Sequence, residues 1–182
     1  MTITCSPALP ADMGAVLDMM RTYYQSEGLP FDSDKSRAAV QELMDNKSRG
    51  ELVLICGGGM PVGYYCLTYG FSLEHHGRDC FLDEIFVRAS CQNQGIGTRV
   101  LNAITDHLRS QDFRALHLVV RTTNRKAVEF YVRNGFVEQG TLFMTRNLAP
   151  PGGIARLSDG QPTTASCTTV GSNSRRKSIS SA

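Results

Sequence analysis

Apolar residues at Met13, Val16, Leu17, Met20 and Tyr24 recur every three or four positions, the spacing of one helical face. They lie in PADMGAVLDMMRTYYQ, with Ala11 or Asp12 near the expected helix start. EGLPFDSD breaks the rhythm, and KSRAAVQELMDN resumes it with Val40, Leu43 and Met44 on one side. Ahead of both helices, TITCSPA reads as a short opening strand. Behind them the texture changes: ELVLIC and PVGYYCLTYGFSL, joined by the glycine turn GGGM, predict two strands, and CFLDEIFV predicts a third. Ile96, Val100, Leu101, Ile104 and Leu108 trace another helical face. ALHLVV reads as a buried strand and NRKAVEFYVRNGF as a helix, with Asn124 its N-cap and Gly135 its stop. FVEQG and LFMTRNL are expected to close as a strand pair. The order β-α-α-β-β-β-α-β-α-β-β predicts a mixed α/β domain.

The pattern stops at about Pro150. PGGIARLSDGQPTTASCTTVGSNSRRKSISSA has no aromatic residue and few large aliphatics, so it buries too little apolar surface to offset the entropy of ordering. The expected organisation is one domain over residues 1–148 and a disordered tail over residues 149–182. RRKSIS is read as part of that solvated tail rather than as a docking patch.

Composition narrows the classes. The chain has 182 residues, of which 41% are hydrophobic and 20% charged, enough for one soluble domain with a full core. A net charge of +2 argues against a dedicated nucleic-acid partner. No run of about 18 apolar residues is present, so no membrane span is expected. MTITCSPALPADM lacks a basic stretch followed by an apolar one, so a cytoplasmic location is expected. Six cysteines include no C-x-x-C pair and no histidine at ligand spacing, which predicts reduced structural thiols and no metal. His75 and His76 in EHH would diverge on a strand and are read as a solvated turn.

The candidate chemistry starts at QNQGIG, between a strand and a helix. A helix N-terminus presents unpaired N–H groups and positive dipole, which suits a phosphate-type anion, and Gly95 and Gly97 let it approach the backbone. A P-loop needs Gly-Lys followed by Ser or Thr, and this chain has Gly97-Thr98-Arg99. A dinucleotide fingerprint needs a third glycine where Val100 stands. Taken alone, the loop is equally a tight strand-to-helix turn.

The downstream pattern adds to it. Gln92-x-x-Gly95-x-Gly97 resembles the signature of the GNAT superfamily of acetyl-CoA-dependent N-acetyltransferases. Asn124, Ala127, Tyr131, Gly135 and Phe136 resemble that family's N-x-x-A-x-x-x-Y-x-x-x-G-F element, and FLDEIFV and PADMGAVLDMM are also similar. The match runs in family order over roughly Thr2 to Leu148. It implies a single mixed, mostly antiparallel sheet flanked by helices, with two central parallel strands that splay apart.

The resemblance further implies acetyl-CoA as cosubstrate, its pyrophosphate on the amides of Gln92, Gly95, Ile96, Gly97 and Thr98. Its pantetheine arm would pair with the strand at Phe86 and Val87 and bond to Asn124. An alkylammonium has a pKa near 10.4 and must lose a proton before attacking a thioester, which calls for a carboxylate. Asp83 and Glu84 are the candidates. Strict alternation sends them to opposite faces, Asp83 with Phe81, Ile85 and Val87, Glu84 with Leu82 and Phe86, so that only one faces the cleft. Family usage favours Glu84, with Asp83 the alternative base. Tyr131 is the expected general acid for the leaving thiolate. The resemblance points to a small-molecule primary amine as acceptor, with a protein or peptide amine, or acetyl-CoA binding without turnover, as alternatives. Dimers are common among relatives, which leaves a homodimer open.

Overall fold

The computed structural model describes residues 2–148. The expected tail, RRKSIS and Cys167 lie outside the described residues.

The opening strand is β1 (Ile3–Pro7), followed by a 3-10 turn at Pro10–Asp12 and helix α1 (Met13–Ser26). Asp12 ties this entry together, its Oδ2 accepting from the Leu9 N–H at 2.8 Å. Helix α2 (Ser33–Asp45) begins two residues earlier than the apolar pattern indicates. Its N-cap is Asp32, whose carboxylate accepts from the N–H groups of Asp34 and Lys35. Strands β2 (Gly50–Gly57), β3 (Met60–Ser72) and β4 (Gly77–Val87) form a meander, and helix α3 (Ile96–Ser110) follows. Strand β5 (Ala115–His117) and helix α4 (Arg125–Arg133) complete the order.

The sheet runs β1-β2-β3-β4-β5, antiparallel except for the parallel β4–β5 pair. It separates two cores. Met13, Val16, Leu17 and Met20 of α1 pack with Val40 and Met44 of α2 on one face, over Leu52, Leu54, Tyr64, Cys66 and Phe86. Ile96, Val100, Leu101, Ile104 and Leu108 of α3 cover the other, over Val53, Ile55, Tyr65, Leu67 and Leu82. Both helical stripes are the ones that the apolar spacing predicts. Five described cysteines are free thiols, and Cys66 and Cys80 are buried as small apolar groups. Among the described residues no helix is long and apolar enough to cross a membrane.

Two expectations need correction. ALHLVV forms a strand over three residues only, and the closing strand pair is absent: residues 137–148 have no regular structure, with Val137, Leu142, Phe143, Met144 and Leu148 exposed. A strand draws its stability from cross-strand neighbours more than from residue type. Strand β5 spans too few residues to offer these segments a full partner.

The β3–β4 pairing brings backbones close at Gly63, opposite Val87. A Cβ there would overlap the Phe86 carbonyl oxygen and come within 3.2 Å of the Ile55 side chain. Gly63→Ala is therefore expected to destabilise the domain by about 1–3 kcal/mol. Urea unfolding monitored by circular dichroism measures this; an unchanged midpoint would show that the two strands are not so tightly apposed in solution.

Candidate functional site

Strand β4 contains one residue more than its partner. Cys66 pairs with Glu84 and Leu67 with Leu82, so Asp83 has no counterpart on β3. The bulge resets the alternation. Leu82 packs into the α3 core while Phe86 packs into the α1–α2 core. Glu84, opposite Cys66, shares the Phe86 side. The expectation that Glu84 follows Leu82, and that Asp83 and Glu84 diverge, is overturned. Both carboxylates line one cavity of about 520 Å³ between the sheet and helices α1 and α2.

Glu84 is held at both oxygens. The Tyr24 hydroxyl on α1 donates to Oε1 at 2.6 Å, and the Tyr64 hydroxyl on β3 donates to Oε2 at 2.7 Å. Tyr64 has no exposed surface, so its hydroxyl requires an internal partner, and Glu84 is that partner. Burial raises the Glu84 pKa, the two tyrosine bonds oppose the rise, and the neighbouring Asp83 charge adds to it. Asp83 is more exposed, and the partial desolvation of its carboxyl raises its pKa as well. Tyr24 and Tyr64 are driven upward by burial and by Glu84, and Tyr23 is pushed up to about 12 by burial first and Glu84 second. All three phenols are thus neutral at physiological pH, with Tyr24 and Tyr64 the donors to Glu84. The cavity holds two basic-shifted carboxylates among neutral hydroxyls, which suits a cationic ligand that must give up a proton.

The anion side of the site starts where β4 loses its second neighbour. Strand β5 pairs with β4 only at Asp79–Ala115, Cys80–Leu116 and Phe81–His117. Beyond Phe81, the β4 edge from Leu82 to Val87 has no strand partner among the described residues. This is the splay expected for an inserted extended chain. Phe86 offers only backbone to it, because its ring is buried between Tyr23 and Tyr64, with centroids 6.2 and 6.1 Å away. The Val87 carbonyl accepts from Gln92 Nε2 at 2.8 Å, so the Gln92 side chain braces the loop against the strand end.

Helix α3 opens with Gly95 as N-cap at φ 71°, a left-handed conformation that glycine adopts without strain. Its first closed turn is Arg99 N–H to Gly95 carbonyl, 3.2 Å, which leaves the N–H groups of Ile96, Gly97 and Thr98 ahead of the intrahelical ladder. A Cβ on Gly95 would meet nothing within 4 Å, so the loop is uncrowded at that α-carbon. Gly97 has a different reason: a Cβ there would lie 2.8 Å from the Phe130 ring of α4. Its role is to let α4 pack on α3, not to clear a path for an anion. The residues therefore fit a pyrophosphate at the loop and an extended arm along β4.

Helix α4 begins at the N-cap Asn124, whose Oδ1 accepts from the Ala127 N–H at 3.2 Å and leaves the side-chain amide N–H groups to other partners. Gly135 ends the helix at φ 87°, as its position predicts. Tyr131 packs against Phe130 and Phe136, and burial, then Glu27, raises its pKa. Tyr23 lies within electrostatic reach of both Glu84 and Tyr131, which ties the two to one region. Tyr24 and Tyr64 escaped sequence reasoning. Each sits in an apolar pattern where a tyrosine reads as core, and only the packing of α1 on the sheet and of β3 beside β4 reveals their shared partner.

The sequence profile of the Acetyltransferase (GNAT) family matches residues 16–136. An uncharacterised N-acetyltransferase of Methanocaldococcus jannaschii is 32% identical over 82 residues, 44% of this chain and 36% of that protein. The thialysine N-epsilon-acetyltransferase of Mus musculus is 30% identical over 74 residues, 41% of this chain and 43% of that one. The chain thus spans less than half the length of these two relatives. Among solved structures, an integron cassette protein from the mobile metagenome of Cole Harbour Salt Marsh is similar at TM-score 0.72 and 30% identity, over 81% of this chain and 91% of that one.

The tyrosine bonds favour the charged form of Glu84, so losing either favours the proton. Tyr24→Phe is expected to raise the Glu84 pKa, read from a carboxyl-detected NMR titration of the glutamate-labelled protein. A titration curve identical to that of the unsubstituted protein would mean that the Tyr24 hydroxyl does not bond Glu84 in solution.

Proposed function

The chain belongs to the Acetyltransferase (GNAT) family, and on that premise we propose that it transfers an acetyl group from acetyl-CoA to the primary amine of a small molecule by direct attack in a ternary complex. The observation that carries this reading is the continuity of one strand. Along β4, two carboxylates with raised pKa values give way to an unpartnered edge, which leads into the open N-terminus of α3. The thialysine relative, whose name specifies an acetylated side-chain amine, supports a small-molecule acceptor.

Each residue has a part. The amides of Ile96, Gly97 and Thr98 hold the pyrophosphate, with Gln92 bracing their loop and Gly95 turning it. The β4 backbone at Phe86 and Val87 and the Asn124 side chain hold the arm. Glu84 takes the ammonium proton, oriented for that task by Tyr24 and Tyr64, and Asp83 beside it is the alternative acceptor. A base near neutrality is served by a raised carboxyl pKa. Tyr131 protonates the leaving thiolate, and its own raised pKa keeps it protonated until then.

Release of free thiol from acetyl-CoA in the presence of an amine panel tests the reading directly. Tyr131→Phe is expected to lower kcat by about 100-fold or more while the KM for acetyl-CoA changes little. Unchanged kcat would remove Tyr131 from the mechanism. Glu84→Gln is expected to lower kcat on a similar scale; if Asp83→Asn does so and Glu84→Gln does not, the base is Asp83. Coenzyme A binding without thiol release from any amine would favour a non-catalytic module.

A further inference from the structure

The cavity that holds Asp83 and Glu84 has a second charged end. Glu42 of α2 and Arg49, just ahead of β2, both line it and form an ion pair, Nε to Oε1, of 3.0 Å. The rest of the lining includes the apolar side chains of Met20, Val40, Leu43 and Leu52, together with Thr68 and Tyr69 of β3. The sheet register sets their separation. Leu52, Cys66 and Glu84 form one row across three strands, and Arg49 lies three residues earlier than Leu52, with its carbonyl bound by the Tyr69 N–H at 2.8 Å. Strand geometry then puts Glu84 and Arg49 roughly 14 Å apart at the backbone, at about 3.3 Å per residue along and about 4.8 Å per strand across. Their side chains close part of that span and leave room for a short alkyl chain.

The charge pattern selects among amines. Glu42 and Arg49 together are neutral, so a polycation would set one of its ammonium groups against the Arg49 guanidinium. A plain alkylamine would use neither residue. An α-amino acid head group is itself one negative and one positive charge, the complement of this pair, and guanidinium binds carboxylate in two parallel bonds. Both side chains of the pair are more than half exposed, 60% and 62%, so the ion pair contributes little to the fold and its partners can exchange.

Building on the acetyl-transfer reading, we propose that the acceptor is an α-amino acid bearing a primary amine at the end of an aliphatic side chain. The side-chain nitrogen lies at Asp83 and Glu84, the methylenes lie along Met20, Val40 and Leu43, and Arg49 and Glu42 take the carboxylate and α-ammonium. The side-chain ammonium loses one proton to the carboxylate. Its nitrogen pair forms a bond to the acetyl carbonyl carbon, the carbon–sulfur bond breaks with its electron pair going to sulfur, and the nitrogen sheds a second proton as the sulfur gains one. The products are a side-chain amide, free coenzyme A thiol and one proton released to solvent.

Thiol release by the full-length protein is compared for L-lysine, L-ornithine, cadaverine (no carboxylate) and 6-aminohexanoate (no α-ammonium). The better of the two amino acids is expected to exceed both truncated amines in kcat/KM by about tenfold or more, with the product acetylated on the side chain. Arg49→Gln is expected to bring the amino acid-to-cadaverine ratio down toward one, and Arg49→Lys to recover part of it. Equal or better use of cadaverine, or a ratio unmoved by Arg49→Gln in a protein with an unaltered thermal transition, overturns the proposal while acetyl transfer stands. No thiol release from any amine overturns the acetyl-transfer reading, and this proposal with it.

Discussion

The extra residue that β4 carries at Asp83 is the constraint on which the site depends. A regular strand would send the two acids to opposite faces of the sheet. The bulge lets both enter the cavity under α1 and α2, and it restores the pairing so that Ile85 and Phe86 still reach their separate cores. It falls just past Phe81, the last β4 residue paired with β5. On one edge the strand stays bonded to β3. On the other it is released from its parallel neighbour, and the backbone there is available to a ligand.

Electrostatics follow from that placement. A carboxylate turned into an apolar core needs donors, and the two nearest come from different elements, Tyr24 of α1 and Tyr64 of β3. The contact works in both directions, since the fully buried Tyr64 hydroxyl needs an acceptor as much as Glu84 needs donors. These donors are neutral, so the site keeps its negative charge and its raised pKa values, a combination that attracts an ammonium and then accepts its proton. The same bonds fix α1 against the sheet at the level of the bulge, so one network serves both folding and chemistry.

The second helical layer is positioned by a smaller device. Gly97 has no side chain where the Phe130 ring of α4 lies, which lets α4 dock on the start of α3. Helix α4 brings Asn124 and Tyr131 with it. A residue that reads as part of an anion loop is therefore also the contact that docks the helix carrying the proposed acid on α3.

Much of the molecule was legible in the chain. Helical apolar spacing located α1 and α3, capping chemistry located the ends of α4, and the Gln92–Gly97 and Asn124–Phe136 motifs identified the family, because these signals are local and each is set by residues close in sequence. Parity in β4 was misread because a bulge is defined by a mismatch between two strands, and neither strand alone contains it. Tyr24 and Tyr64 were hidden for a related reason: they are 40 residues apart in sequence and meet only through Glu84. The closing strands illustrate the converse. FVEQG and LFMTRNL have strand-like composition, yet residues 137–148 remain irregular, since pairing is decided by the neighbour a strand finds. Local periodicity and short motifs thus belong to the sequence, whereas register, shared hydrogen-bond partners and the second charged end of the cavity arise only when distant segments are brought together.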